Sequence, residues 1–157
     1  MPRVDQVVAD LADHGITLPP GQVRLDHYGD SPELSRSLLD MIRSGQKRAG
    51  TGLLWLHEHE NEPYGAVGDI EIVLTHDHRP SVVTRITRVE VVPYGQVTAQ
   101  YAAIEGEGDG SLTYWREAHW AYFSRVCAQI GRTPSEEMLV ICSTFEVLHV
   151  LPEPGAA

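Results

Sequence analysis

Lysine, threonine, glutamate and histidine stand in this chain at positions that could share one site. Lys47 and Thr51 follow a Gly45-Gln46 pair, Glu105 and Glu107 lie in a glycine-rich acidic run, and His119 comes further on. A lysine held at a backbone corner can contact a phosphate or a ring carbonyl, or activate a hydroxyl if burial lowers its pKa. Paired carboxylates can move protons or hold a hard cation such as magnesium. Arg48 adds a cation beside Lys47, and Trp55 and Trp115 are candidate walls for a stacked base. Each residue also has an ordinary reading. Lys47 would be a solvated side chain in a charged turn, Glu107 and Asp109 part of a polar loop capping the next helix, and His119 a satisfied helix histidine. For Glu107 the loop reading comes first; Glu105 reads as a cleft residue. His57-Glu58-His59 and His76-Asp77-His78 place imidazoles at alternate positions, which share a face in a strand. They lie in polar, loop-like stretches with no cysteine nearby, so neither a metal nor a cofactor is expected.

The elements that must position these residues can be read from capping and periodicity. Ser31 or Asp30 caps a helix with Pro32 in its first turn and an apolar stripe of Leu34, Leu38, Met41 and Ile42, and Gly45 ends it. A basic turn then leads to a strand through Leu53-Leu54-Trp55-Leu56, so Lys47 sits at a helix-to-strand corner. Before it, Val4, Val7, Val8 and Leu11 have amphipathic helical spacing, and Val23-Arg24-Leu25 is extended. After it come a polar loop to Asp69, a strand over 70–74, and a long β signal over 82–92 broken by Pro93. Thr98 caps a short helix whose Val97, Tyr101 and Ile104 face one side, with Glu105 at its end. Ser111 caps a longer helix with Leu112, Trp115, Tyr122 and Val126 as its buried face. Trp120 falls on the opposite face. Strands over 138–142 and 144–150 finish the chain.

The 157 residues, 42% of them hydrophobic, suit one domain. The expected division is a helical extension over 1–22, the domain over 23–151 and a frayed tail over 152–157. No apolar run has the length of a membrane span, and MPRVDQVVADL carries acids where a secretory signal needs an apolar run, so a cytoplasmic protein is expected. Cys127 and Cys142 each sit in an apolar run and read as packing thiols. The net charge of −10 opposes binding to long duplex DNA, because phosphate affinity needs clustered cations. Seven of the twelve basic residues fall in two segments, Arg36, Arg43, Lys47 and Arg48 in one and Arg79, Arg85 and Arg88 in the other, which leaves room for a local basic pocket.

Strands clustered without regular βαβ alternation give an α+β class. Two motifs add more. Gly45-Gln46-Lys47, preceded by GDSPEL, resembles the G-x-K-x-x-T signature of the ASCH domain family (activating signal cointegrator homology). The run EGEGD at 105–109, followed by Ser111-Leu112, Tyr114-Trp115-Arg116 and His119, resembles a block of that family's short stand-alone bacterial YhfF-like branch. The resemblance covers roughly residues 23 to 150. It implies a small, partly open PUA-like β-barrel with flanking helices and a helix-lined cleft. Some relatives resemble amidohydrolases that deacylate a modified cytidine nucleoside with a lysine, a threonine and a glutamate. Lys47 and Glu105 match two of these. Position 50 is glycine where the motif has threonine, and Thr51 follows one place later. A shift of one residue in a strand turns a side chain to the other face, so Thr51 could serve only through an irregular backbone at Gly50.

The expected function is recognition of RNA or a modified nucleoside in a cleft between the Lys47 turn and the EGEGD loop. Lys47, Glu105 and Thr51 are the candidate catalytic residues, and Arg48, Trp55, Glu107, Trp115 and His119 the candidate binding residues. The alternatives are hydrolysis of an N-acylated cytidine-type nucleoside, metal-assisted RNA cleavage, and a protein-interaction module acting through the N-terminal helix and Trp120, for example as a homodimer.

Overall fold

The computed structural model describes residues 2–153; the expected tail lies outside the described residues from position 154 onward. Five strands, β1 (Val23–Asp26), β2 (Ala49–Leu53), β3 (Ile70–Leu74), β4 (Pro80–Pro93) and β5 (Leu139–Val150), form one sheet in the order β1-β3-β4-β5-β2. β1 runs parallel to β3, and the other pairings are antiparallel. Five helices surround it: α1 (Val4–Asp13), α2 (Pro32–Ser44), α3 (Leu54–Glu60), α4 (Ala99–Glu105) and α5 (Leu112–Ile130). The class is α+β with an open sheet. The ladder ends at β1 and β2 and is not a closed barrel, although register shifts at Val83/Thr84 and Ile86/Arg88 bend the long β4–β5 pair as bulges do.

Side-chain alternation along the strands divides the core. Ile70, Ile72 and Leu74 of β3 pack with Val7 and Leu11 of α1, whereas Val73 turns the other way to meet Leu39 and Ile42 of α2 together with Val82 and Phe145. A third cluster joins Leu53, Val140 and Cys142 to Ala102 of α4 and Trp115, Phe123 and Cys127 of α5. Cys127 and Cys142 are free, buried thiols. Among the described residues no helix is long and apolar enough to cross a membrane.

Capping follows the side-chain chemistry. Ser31, Thr98 and Ser111 accept from the backbone N–H groups of Leu34, Tyr101 and Tyr114, and the helices they open close at Gly45, Gly106 and Gly131.

Three expectations change. The strand expected to run through Trp55 stops at Leu53, and Leu54 opens α3, because a short apolar run does not distinguish a buried strand from a helix and here Trp55 and Leu56 pack on the third cluster. The two C-terminal strands are one continuous β5. On α5 the buried face is Trp115, His119, Phe123, Val126 and Cys127, a stripe rotated from the expected one, which leaves Tyr122 half-buried.

Candidate functional site

The helix-to-strand corner is built by backbone bonds. Gly45 stops α2 with φ 88°, and the Lys47 N–H returns to the Met41 carbonyl at 3.0 Å. The next residue is fixed on both sides: Arg48 N–H donates to Ile104 O, at the end of α4, and Arg48 O accepts from Phe145 of β5, each at 3.0 Å. Gln46 Nε2 donates to Gly106 O at 2.8 Å. Gly106 has φ 71°, and a Cβ there would stand 2.1 Å from the Gln46 carbonyl oxygen, so only glycine lets the two turns touch. Lys47 is thereby delivered beside Glu105 across 58 residues of sequence.

Glu105 is the centre of the site. Its Oε2 receives Lys47 Nζ at 2.9 Å and His119 Nε2 at 3.1 Å, and its Oε1 receives Trp115 Nε1 at 2.7 Å and the Thr51 hydroxyl at 2.5 Å. Lys47 and Glu105 are each 1% exposed, so this is a desolvated ion pair. Glu107 Oε2 lies 3.5 Å from both Lys47 Nζ and His119 Nε2. Trp115 and His119 stack with ring centroids 4.1 Å apart, and His119 Nδ1 lies 2.9 Å from the Trp115 carbonyl. Burial opposes ionisation of Glu105, but the Lys47 ammonium and His119 outweigh it and hold the carboxyl well below its ordinary range. Burial raises Glu107 to about 7, helped by its hydrogen bond to Glu105 and opposed by Lys47. Burial favours neutral His119, yet the Glu105 carboxylate overrides it and raises the imidazole's pKa. The site thus pairs a firmly ionised carboxylate with a carboxyl that titrates near neutrality.

The glycine at position 50 and the threonine at 51 look to opposite faces of β2, as strand geometry requires. No irregular backbone is involved: β2 pairs in unbroken register with β5, Gly50 with Ser143 and Thr51 with Cys142. The face of Thr51 is the one that carries Glu105 and Tyr101, whose hydroxyl lies 3.1 Å from Thr51 Oγ1 and 2.9 Å from Gly50 O. The face of Gly50 is occupied by Tyr28, where a Cβ would stand 2.8 Å from the ring. A threonine at 50 would collide with Tyr28; the hydroxyl that reaches Glu105 is that of Thr51.

Lys47, Thr51, Glu105, Glu107, Trp115 and His119 are therefore together. Arg48 and Trp55 are not. Arg48 is exposed and folds its Nε back to Gly45 O at 3.1 Å, while the Trp55 ring lies under Arg132, 4.8 Å from its guanidinium carbon. The expected basic pocket does not form from Arg79, Arg85 and Arg88, which pair with Asp77, Glu146 and Glu90. Tyr28 and Tyr101 belong to the site although sequence reasoning passed them over. Tyr101 precedes Glu105 by four residues on one helix, the spacing that shares a face, whereas Tyr28 has Lys47 Nζ 5.4 Å from its ring centroid and left no local signal.

Glu105, Glu107 and His119 offer ligand atoms within 4.8 Å of one another, and the Lys47 ammonium sits among the same carboxylates. His57 and His59 lie on α3, where alternate residues do not share a face. A cavity of about 310 Å³ lies elsewhere, between α2, the β3–β4 turn and Pro152-Glu153; another of about 190 Å³ reaches the site's edge at Tyr101 and Cys142.

An α+β domain with an open five-stranded sheet and a lysine–glutamate pair clamped between two glycine turns is the class these observations define. The sequence matches the ASCH domain model over residues 24–149, and the chain belongs to the ASCH family. The crystal structure of an ASCH domain from Lactobacillus crispatus JV V101 is similar at 31% identity and TM-score 0.76, over 92% of this chain and 90% of that one. Protein EF3133 from Enterococcus faecalis V583 is similar at 29% identity and TM-score 0.75, over 90% and 85%. No curated protein matches.

Proposed function

We propose that this protein binds RNA bases or a modified nucleoside against the surface where Thr51, Tyr101 and Glu107 stand over the buried Lys47–Glu105 pair. The observation that carries the reading is the convergence of Lys47, Thr51, Trp115 and His119 on one buried carboxylate. A packed apolar cluster would hold the fold as well as a desolvated ion network does, so such a network in so small a domain supports a site. The Lys47 ammonium is already matched by two carboxylates. Thr51, Tyr101 and Glu107 are each only partly buried, and a hydroxyl, a phenol ring and a carboxyl suit a base edge and a base face rather than a phosphate. The net charge of −10 agrees with a short or uncharged ligand.

A second reading, hydrolysis of an N-acylated nucleoside, is favoured by one observation: the Thr51 hydroxyl donates to Glu105. In that reaction Thr51 Oγ1 attacks the acyl carbonyl as its proton passes to a carboxylate, and the C–N bond breaks as that proton is handed to the departing cytosine amine. Water then hydrolyses the Thr51 ester to release the acyl group as a carboxylic acid. Glu105, held strongly ionised, is a weak base for the task, and Glu107, titrating near neutrality, is better matched. Binding is therefore the first reading and turnover the second.

Calorimetric titration of the protein with a panel of nucleosides, including N-acetylcytidine, tests both. Binding that disappears in Lys47→Ala but survives in Thr51→Val, without product on chromatography, is the expected result. Product lost in Thr51→Val establishes the hydrolase instead. Silence across the panel and across short oligoribonucleotides sinks both.

A further inference from the structure

The cavity of about 190 Å³ that meets the site at Tyr101 is a groove between α4 and the β4–β5 pair. Its floor follows from register. Thr51, Cys142 and Glu90 are direct partners across β2, β5 and β4, and Ala49, Thr144 and Arg88 make the next such row, so the side chains of both rows stand on the face that carries Thr51. β4 reaches this alignment through a bulge. Ile86 pairs with Phe145 and Arg88 with Thr144, which leaves Thr87 as the extra residue and brings Arg88 and Glu90 together into the groove. The opposite wall is Tyr101 and Ile104 of α4 with Thr98, the cap of that helix. The Tyr101 hydroxyl, 3.1 Å from Thr51 Oγ1, marks where groove and site join. Charge in the groove is balanced, since Arg88 and Glu90 pair with each other.

We propose that this groove takes the ribose of the bound nucleoside while the base lies against Thr51 and Tyr101, so that the protein selects ribonucleosides over deoxyribonucleosides and over free bases. The inference rests on the nucleoside reading and deepens it by naming the sugar. Ribose hydroxyls each donate and accept, and the groove offers both halves of that chemistry. Glu90 presents carboxylate oxygens to the vicinal diol, as an acidic side chain does for the ribose of a dinucleotide, and Thr144 adds a hydroxyl from the neighbouring row. Thr98 Oγ1 already accepts the Tyr101 N–H at 3.1 Å, so its own proton is the half left to donate. Ile104, 37% exposed, and the Tyr101 ring give the C–H face of the sugar an apolar wall. A phosphate is poorly served here, because the groove's cation, Arg88, is matched by Glu90. The 2′-hydroxyl, able to donate and accept, is the group by which such a site tells a ribonucleoside from its deoxy counterpart.

The test is calorimetry with cytidine, uridine and N-acetylcytidine, each beside its 2′-deoxy counterpart, its free base and its 5′-monophosphate. The expected result is binding about tenfold weaker for the 2′-deoxy compound, weaker again for the base, and no tighter for the monophosphate. The double variant Glu90→Ala with Thr144→Val should bring the ribonucleosides down to the affinity of their 2′-deoxy counterparts, which themselves still bind. Thr144→Ser, which keeps the hydroxyl, should keep the preference. Equal binding of ribo- and deoxyribonucleosides, lost in Lys47→Ala, overturns this inference and leaves the nucleoside reading standing. Silence of every compound overturns the nucleoside reading and the subsite with it. A ribose preference that survives in the double variant overturns the assignment to the groove. Tighter binding of the monophosphate, lost in Arg88→Ala, overturns the sugar assignment in favour of a phosphate.

Discussion

Gly50 and Tyr28 occupy each other's space: the tyrosine ring lies where the β-carbon of residue 50 would be, 2.8 Å from that point. The contact explains why the motif's threonine is missing and why its hydroxyl is supplied from the next position, on the opposite face of β2. Gly50→Ala must displace the ring and is expected to cost about 1–3 kcal/mol, as overpacking does. In urea denaturation, Gly50→Ala combined with Tyr28→Ala should show less than the sum of the two single losses. Strict additivity would mean that the ring does not constrain position 50.

Removing the cation should be worse than removing the pair. Lys47→Met leaves Glu105 buried with no ammonium and should destabilise the protein by about 3–5 kcal/mol. Lys47→Met with Glu105→Gln, which removes both charges, should recover a measurable part of that loss. Denaturation midpoints compared at one pH read the difference directly; a double variant less stable than Lys47→Met would contradict the assignment.

The stability of the site has a pH dependence whose sign can be worked out. Glu107 is raised from an ordinary 4.5 to about 7, so its contribution is complete below pH 4.5 and is lost as pH rises through 7. His119, also raised, contributes below its ordinary 6.5 and loses that contribution as pH rises through its folded value. Glu105 works in the other sense: depressed, it stabilises above 4.5 and is lost only as pH falls through its low folded value. Between about pH 5 and 8 the first two act together, and thermal stability should decline. Glu107→Gln should flatten the decline in melting curves taken across that range. An unchanged slope would show that Glu107 does not titrate there.

Contact between the two glycine turns should be the tightest tolerance in the site. Gly106→Ala puts a methyl 2.1 Å from the Gln46 carbonyl oxygen at a residue with φ 71°. Backbone has to move, and a loss above about 2 kcal/mol is expected, since left-handed strain and overlap add. Gly131→Ala is the control. It has a similar φ of 73° with nothing within 4 Å, so it should lose only the conformational part, about 1 kcal/mol. Equal losses in the two variants would mean that the Gln46–Gly106 contact contributes nothing.

Local chemistry was legible in the residues wherever it acts over a few positions. Ser31, Thr98 and Ser111 announced their helices through a side-chain oxygen three residues before an amide, and Gly45 announced the stop that makes the corner. The α+β class followed from the order of such elements, and the pairing of two motifs pointed to the family. Where local pattern is degenerate, the reading slipped. Leu53-Leu54-Trp55-Leu56 is apolar throughout, so only packing against α5 and β5 decides that the strand ends at Leu53. The open sheet likewise depends on which strands pair, a long-range matter that periodicity does not encode. The same division runs through the site. Residue types at 47, 105, 107 and 119 are chemically suggestive in the chain, but the burial and charge pairing that shift the ionisation of Glu105, Glu107 and His119 are properties of α2, α4, α5 and β2 closing together. Thr51 was the hardest case. Its alternation relative to Gly50 was correctly read, but which face of β2 carries Glu105 and which carries Tyr28 is set by helices that arrive from distant parts of the chain.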